Sequence, residues 1–149
     1  MKKSILSMVA IFCCLVSIFA QKSILVLESS AKKVFQLDEQ TGIVSNPSFI
    51  DLSSLNPGTV KGIAQVNDKI WITDQTKNSI YIFSLTGVYE SSITTGLSNI
   101  RGLNVVNNEV WVSNEGSTNG ATANSIARFS KAGVNLGYYP TIISPFDAL

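Results

Sequence analysis

Val60-Lys61-Gly62-Ile63-Ala64-Gln65-Val66-Asn67-Asp68-Lys69-Ile70-Trp71-Ile72-Thr73-Asp74 returns later in the chain as Ile100-Arg101-Gly102-Leu103-Asn104-Val105-Val106-Asn107-Asn108-Glu109-Val110-Trp111-Val112-Ser113-Asn114. The shift is 40 residues throughout, as 111 − 71 shows for the two tryptophans. A third copy starts at Ser144-Pro145-Phe146-Asp147-Ala148-Leu149, which lines up with Ser98–Leu103 at a shift of 46. Between the copies the apolar runs are short and rich in branched and aromatic residues: Ile70-Trp71-Ile72, Ile80-Tyr81-Ile82-Phe83, Val110-Trp111-Val112. Such runs favour extended backbone. Strand-rich units recurring at this period predict blades of a β-propeller, and the stop within a third copy predicts an incomplete ring.

The turns keep the same phase. Asn67-Asp68 and Asn107-Asn108 occupy one slot, and Asn and Asp tolerate the positive φ of a tight hairpin. Thr41-Gly42, Thr86-Gly87 and Ala132-Gly133 occupy a second slot. The last of these is displaced by 46, because the loop Glu115–Asn124 carries six extra residues. The second unit therefore holds four strands, near Val60–Val66, Lys69–Thr73, Ser79–Phe83 and Val88–Ile93. An earlier, more diverged unit begins at the second strand of this pattern, with Ile24-Leu25-Val26-Leu27-Glu28 matching Ile70–Asp74. No stretch shows an apolar stripe at helical spacing with caps. The fold class expected is all-β: a segment of about three four-stranded blades, in units near 21–57, 58–97 and 98–143, with a stub at 144–149.

The first twenty residues stand apart. Lys2-Lys3 precede Ile5–Ala20, 16 apolar residues, too few for the roughly 20 that cross a bilayer as a helix. The pattern is that of a Sec-type signal peptide cut after Ala20, leaving 149 − 20 = 129 residues and no expected membrane span. Cys13, Cys14, Lys2 and Lys3 leave with it, so 9 basic residues face 10 acidic ones. A near-neutral chain without a basic cluster gives no electrostatic case for nucleic acid. The remaining chain has no His and no Cys, which excludes a His/Cys zinc site, a Ser-His-Asp triad and a Cys nucleophile within these residues. It also has no phosphate-binding or dinucleotide fingerprint.

The unit Lys61-Gly62-Ile63-Ala64, Lys69-Ile70-Trp71-Ile72-Thr73-Asp74, Asn78-Ser79-Ile80-Tyr81-Ile82-Phe83 and Thr86-Gly87 resembles the NHL repeat, and the related YVTN-type and gluconolactonase-like repeats. The resemblance covers about Ile24 to Leu149. It implies a propeller, and with the signal peptide the expectation is a bacterial protein that is secreted or held in the periplasm or at the cell surface. The gluconolactonase-like branch implies a divalent cation held by Glu, Asn and Asp at the axis, for which Glu28, Asp74 and Asn114 share one column of the repeat. The alternative for that column is structural, with side chains tying strand ends by hydrogen bonds. NHL-like amidating lyases use His-bound zinc, which these residues cannot supply.

Lys61, Arg101 and Asp147 form a second column, at the entrance to the innermost strands, where they could contact a polar ligand or simply be solvated. Glu115 and Asn119 mark the loop in which the third unit departs from the second, and loops carry binding. Trp71 and Trp111 read as core between blades. The sequence expectation is an exported, non-enzymatic binding or scaffold module without a cofactor, the front part of a longer protein whose further units complete the ring. Its partner would be a protein or small molecule, or another copy through open blade edges. Two alternatives stand beside it: a cation-dependent lactonase-like hydrolase, calcium being the natural ion, and a truncated product without function of its own.

Overall fold

A computed structural model describes residues 23–146. The expected signal segment 1–20 and Asp147, Ala148 and Leu149 of the stub lie outside the described residues. The strands are β1 (Ser23–Glu28), β2 (Lys33–Asp38), β3 (Val44–Asp51), β4 (Val60–Val66), β5 (Lys69–Asp74), β6 (Ser79–Ser84), β7 (Tyr89–Ile93), β8 (Ile100–Val106), β9 (Glu109–Asn114), β10 (Ser125–Ser130) and β11 (Asn135–Pro140). One 3-10 turn, Ser53–Leu55, interrupts the β3–β4 connection. Among the described residues no helix is long and apolar enough to cross a membrane.

The strands form three antiparallel meanders: β1-β2-β3, β4-β5-β6-β7 and β8-β9-β10-β11. These are the three blades. The four strands expected of the second unit are all present. Hairpin chemistry sets the register. Asn67 and Asn107 stand at φ 53° and 54°, and Gly42, Gly87 and Gly133 at 68°, 81° and 85°. A side chain at Gly87 would also meet the Phe49 carbonyl oxygen at 2.5 Å, so only glycine fits there.

Period-two alternation distributes each strand between two neighbours. Ile70 and Ile72 of β5, with Tyr81 and Phe83 of β6, pack with Val34, Ile50 and Leu52 of the first blade side. Trp71 and Ile80 point the other way, into a cluster with Leu103, Val110, Val112, Ala127 and Phe129 of the third blade. Each blade thus has a leading face, toward the blade before it, and a trailing face, toward the blade after it. The apolar runs are continuous because the second blade is covered on both sides.

Trp111 departs from the expectation. It is in phase with Trp71, but no blade follows it among the described residues, and it is half-buried where Trp71 is buried. The trailing face of the third blade is built differently around it. Arg128 stands in the position of Ile82, and Asn104 in that of Ala64. Arg128 holds Glu109 through two parallel bonds, Nε donating to Oε2 at 2.8 Å and Nη2 to Oε1. Trp111 Nε1 donates to the same Glu109 Oε2 at 2.9 Å. The guanidinium lies 4.2 Å from the Tyr139 ring centroid, and Tyr139 meets Trp111 edge to face at 5.4 Å.

The hydrogen bonds from Arg128, then that from Trp111, hold the Glu109 carboxyl down at about 2 against an ordinary 4.5. A lowered folded pKa stabilises above the unfolded value, and that contribution is lost as pH falls from about 4.5 toward 2. Glu109→Gln is therefore expected to lower stability at neutral pH and to match the wild type near pH 2. Urea midpoints of the two proteins at both pH values check this; a constant difference would contradict it.

Candidate functional site

The connections β1–β2, β3–β4, β5–β6, β7–β8 and β9–β10 all open on one side of the blades. Ladder pairs place Val60, Asp74 and Ser79 together at that edge, and likewise Ile100, Asn114 and Ser125. The innermost strands β4 and β8 lie side by side there.

Both inner strands carry a bulge at the same point. Pairing of β4 with β5 jumps from Val60 to Ile63, and that of β8 with β9 from Ile100 to Leu103. The bulged residues are Lys61-Gly62 and Arg101-Gly102. A bulge bends the strand and re-aims a side chain. Here it presents two basic residues at the mouth of a shallow cleft of about 190 Å³, lined by Lys61, Gly62, Ile63, Arg101, Gly102, Leu103 and Phe146. Gly62 allows the close approach: a Cβ there would stand 2.9 Å from Leu103 Cδ2 and 3.1 Å from the Arg101 carbonyl oxygen. The Thr73 hydroxyl ties the bulges together, accepting from Gly62 N at 2.8 Å and donating to the Arg101 carbonyl. Ser113 stands at the equivalent place one unit later but bonds differently, its hydroxyl lying 3.3 Å from both the Gly102 and Phe146 carbonyl oxygens, to which it can only donate.

Arg101 is held from the loop side. Its Nη2 donates to Glu115 Oε2 at 2.7 Å, and the same oxygen accepts from Asn99 Nδ2 at 2.7 Å. Gln75 Nε2 donates to Asn99 Oδ1 at 2.6 Å, and Asn78 Oδ1 fixes the Asn99 amide at 2.7 Å. The guanidinium carbon sits 4.8 Å from the Phe146 ring centroid. Arg101 Nε is buried and has no hydrogen-bond partner among the described residues. Lys61 is exposed and forms no ion pair there.

The structure thus brings Lys61, Arg101 and Glu115 into one region. Asn119 is turned elsewhere, its amide donating to the Thr94 and Leu97 carbonyls, where it fastens the β9–β10 loop to the β7–β8 loop. Thr73, Gln75, Asn99 and Phe146 were not singled out by the sequence. Only the recurrence of Thr73 as Ser113 hinted at a shared role.

The column Glu28, Asp74 and Asn114 faces the backbone. Asp74 is fully buried; Gly58 N and Tyr81 Oη donate to its Oδ2 at 2.7 and 3.0 Å, and Thr59 N and Lys77 N to its Oδ1 at 3.1 and 3.0 Å. Burial, then the Asp74 charge, pushes the Tyr81 phenol far above its ordinary pKa, so it stays a donor. Asn114 Oδ1 accepts from Ser98 N at 2.7 Å, and its Nδ2 donates to the Gly116 and Thr122 carbonyls at 2.9 and 2.7 Å. Glu28 closes a turn by accepting from Ala31 N. Oxygens committed to these donors do not fit the cation cage implied by the gluconolactonase-like resemblance. Among the described residues no three His, Cys, Asp or Glu side chains gather as a metal site.

No family model matches the sequence, and no curated protein matches it. Solved structures do. Virginiamycin B lyase from Staphylococcus aureus superposes with a TM-score of 0.62 at 16% identity, over 86% of this chain and 42% of that one. The fold is a β-propeller, present in part. Glutaminyl cyclase from Myxococcus xanthus gives 0.54 at 12% identity, over 78% of this chain and 48% of the other. A luciferin-regenerating enzyme gives 0.54 at 15%, over 85% and 46%. The chain spans less than half the length of each, and at such identities the likeness establishes the fold alone.

These neighbours correct the expectation of a non-enzymatic module. All three are enzymes, a lyase, a cyclase and a luciferin-regenerating enzyme, so the architecture is one that carries catalysis. The absence of His and Cys was a poor guide for a physical reason. Propeller sites gather side chains from loops of several blades around the axis, and three blades show only part of that circle.

Proposed function

We propose that this chain supplies part of the ring of a propeller enzyme of the NHL/gluconolactonase-like kind, and that Lys61 and Arg101 hold an anionic group of its substrate. The observation that carries this reading is the pair of in-phase bulges, which set two basic residues side by side on one cleft. Arginine suits a carboxylate or phosphate because its donors are fixed in a planar fork. Glu115, itself held by Asn99, accepts from one end of that fork, and Nε has no partner among the described residues, so its donors are not all used there. Lys61 adds a mobile point charge. The groups that make or break bonds would come from other blades.

Calorimetric titration with citrate and with inorganic phosphate, against glucose as a neutral control, tests the reading. Binding of at least one anion is expected, and it weakens with added salt. Lys61→Ala and Arg101→Lys are each expected to weaken it by roughly 10-fold, the loss of one charge-assisted contact. Anion binding that survives both substitutions would overturn the assignment, as would none at all.

A further inference from the structure

The second and third blades each bring one cation to the cleft, but they treat it differently. Lys61 and Arg101 are in phase, and they are the charged residues among those lining the cleft. Behind Arg101 stands Glu115. The residue in phase with Glu115 is Gln75, since 115 − 75 = 40, the shift of the repeat. Glu115 turns back on its own blade, where its Oε2 accepts from Arg101 Nη2 and from Asn99 Nδ2, each at 2.7 Å. Gln75 turns to the next blade, its Nε2 donating to Asn99 Oδ1 at 2.6 Å. Arg101 therefore has a carboxylate at its side, and Lys61 has none among the described residues. Two cations and one carboxylate leave a single uncompensated positive charge at this pair.

The donors within reach are few as well. Of the Arg101 nitrogens, Nη2 is committed to Glu115 and Nε is buried. A ligand meets the guanidinium through Nη1, so Arg101 offers it one nitrogen and not the whole fork. The Lys61 ammonium, exposed and on the adjacent inner strand, supplies the other contact. One contact from each suits an anion with two oxygens and one charge. A phosphate dianion suits the pair less. Its second charge has no cation of its own here, and it stands across one guanidinium from the Glu115 carboxylate, where like charges repel.

We propose that the cleft takes a single carboxylate, one oxygen on Arg101 Nη1 and the other on the Lys61 ammonium, and that Glu115 sets the preference for it over phosphate. The substrate class is then a monocarboxylic acid, held here by its carboxylate end. This rests on anion binding at Lys61 and Arg101 and adds which anion binds. Glu115 can act as a fixed charge because its partner is fixed. Asn99 is held by Gln75 through its side chain and by Asn78 Oδ1 through its backbone amide, at 2.7 Å.

Chemical-shift titration of the isotope-labelled chain with acetate and with inorganic phosphate tests this, at constant ionic strength and about pH 8, where phosphate carries two charges. The amides of Lys61, Gly62, Arg101 and Gly102 report binding. Acetate is expected to bind roughly 10-fold more tightly than phosphate. Glu115→Gln keeps an oxygen for Arg101 Nη2 and removes the charge. It is expected to lower the acetate-to-phosphate ratio roughly 10-fold, because a doubly charged ligand gains twice what a singly charged one gains. Glu115→Asp keeps the charge and should keep the preference, which separates charge from the loss of a hydrogen bond. Phosphate binding as tightly as acetate would overturn the proposal, as would a ratio that Glu115→Gln leaves unchanged or that Glu115→Asp abolishes. Shifts from neither anion would remove the anion site itself, whereas binding of both without preference would remove this assignment alone.

Discussion

Asp74→Ala is expected to destabilise the fold by about 3–5 kcal/mol, because four donors lose one buried acceptor at once. Gly58 N, Thr59 N and Lys77 N come from two different loops, and Tyr81 Oη from the neighbouring strand. Water reaches some of them after truncation, so the cost falls below the sum of four orphaned groups. Asp74→Asn should recover only part of the loss. An amide turned into that pocket sets its NH2 against donors already on one oxygen. Asn114 shows what an amide needs at this position: carbonyl acceptors, which it finds at Gly116 and Thr122. Glu28→Ala, which removes a single turn contact, should matter far less. Urea denaturation of the three variants checks the order. If Asp74→Ala melted with the wild type, the pinning of the β3–β4 and β5–β6 loops by one carboxylate would be wrong.

Trp71→Ala is expected to cost about 3–5 kcal/mol, the range for deleting a large buried aromatic. Trp71 is 1% exposed and sits in the cluster that joins the second and third blades. Its Nε1 has no partner among the described residues, so Trp71→Phe should recover much of the loss, since it removes an orphaned donor along with the ring volume. Trp111→Ala should cost a single arc only about 1–2 kcal/mol, for one hydrogen bond to Glu109 and one edge-to-face contact. The same residue in the same phase thus has two different weights. Thermal melts at low protein concentration, where association is minimal, measure both. Equal losses would contradict the burial of Trp71 and the openness of Trp111.

The strands and turns were legible because they depend on neighbours in sequence. Apolar runs, Asn-Asp and Thr-Gly turns and the 40-residue shift are local patterns repeated in phase, and repetition made each more certain. The bulges at Lys61-Gly62 and Arg101-Gly102 were not legible. A bulge is a mismatch between two strands, and nothing in one strand announces it. The Arg128–Glu109 pair also escaped, since nineteen residues separate partners that meet across a ladder. Trp111 read as core for the same reason that Trp71 did. What distinguishes them is the neighbouring blade, which lies outside the repeat itself. Of the candidate site, the Lys61/Arg101 column was visible as aligned charges, whereas the cleft between them needed the bulges. Asn119 was singled out from loop composition, which does not report the direction of a side chain.

The account stands on blades stacked face to face in sequence order, with Trp71 enclosed between two of them. Isotope-edited nuclear Overhauser spectra of the two indole rings test this most directly. The Trp71 ring should show contacts to methyls of the third blade, Leu103, Val110 or Val112, with which it shares a buried cluster. Trp111 should show contacts to Tyr139 and none to those methyls. If both indoles reported one common set of methyls, the two segments would share a single core, and the stacked-blade account would be contradicted.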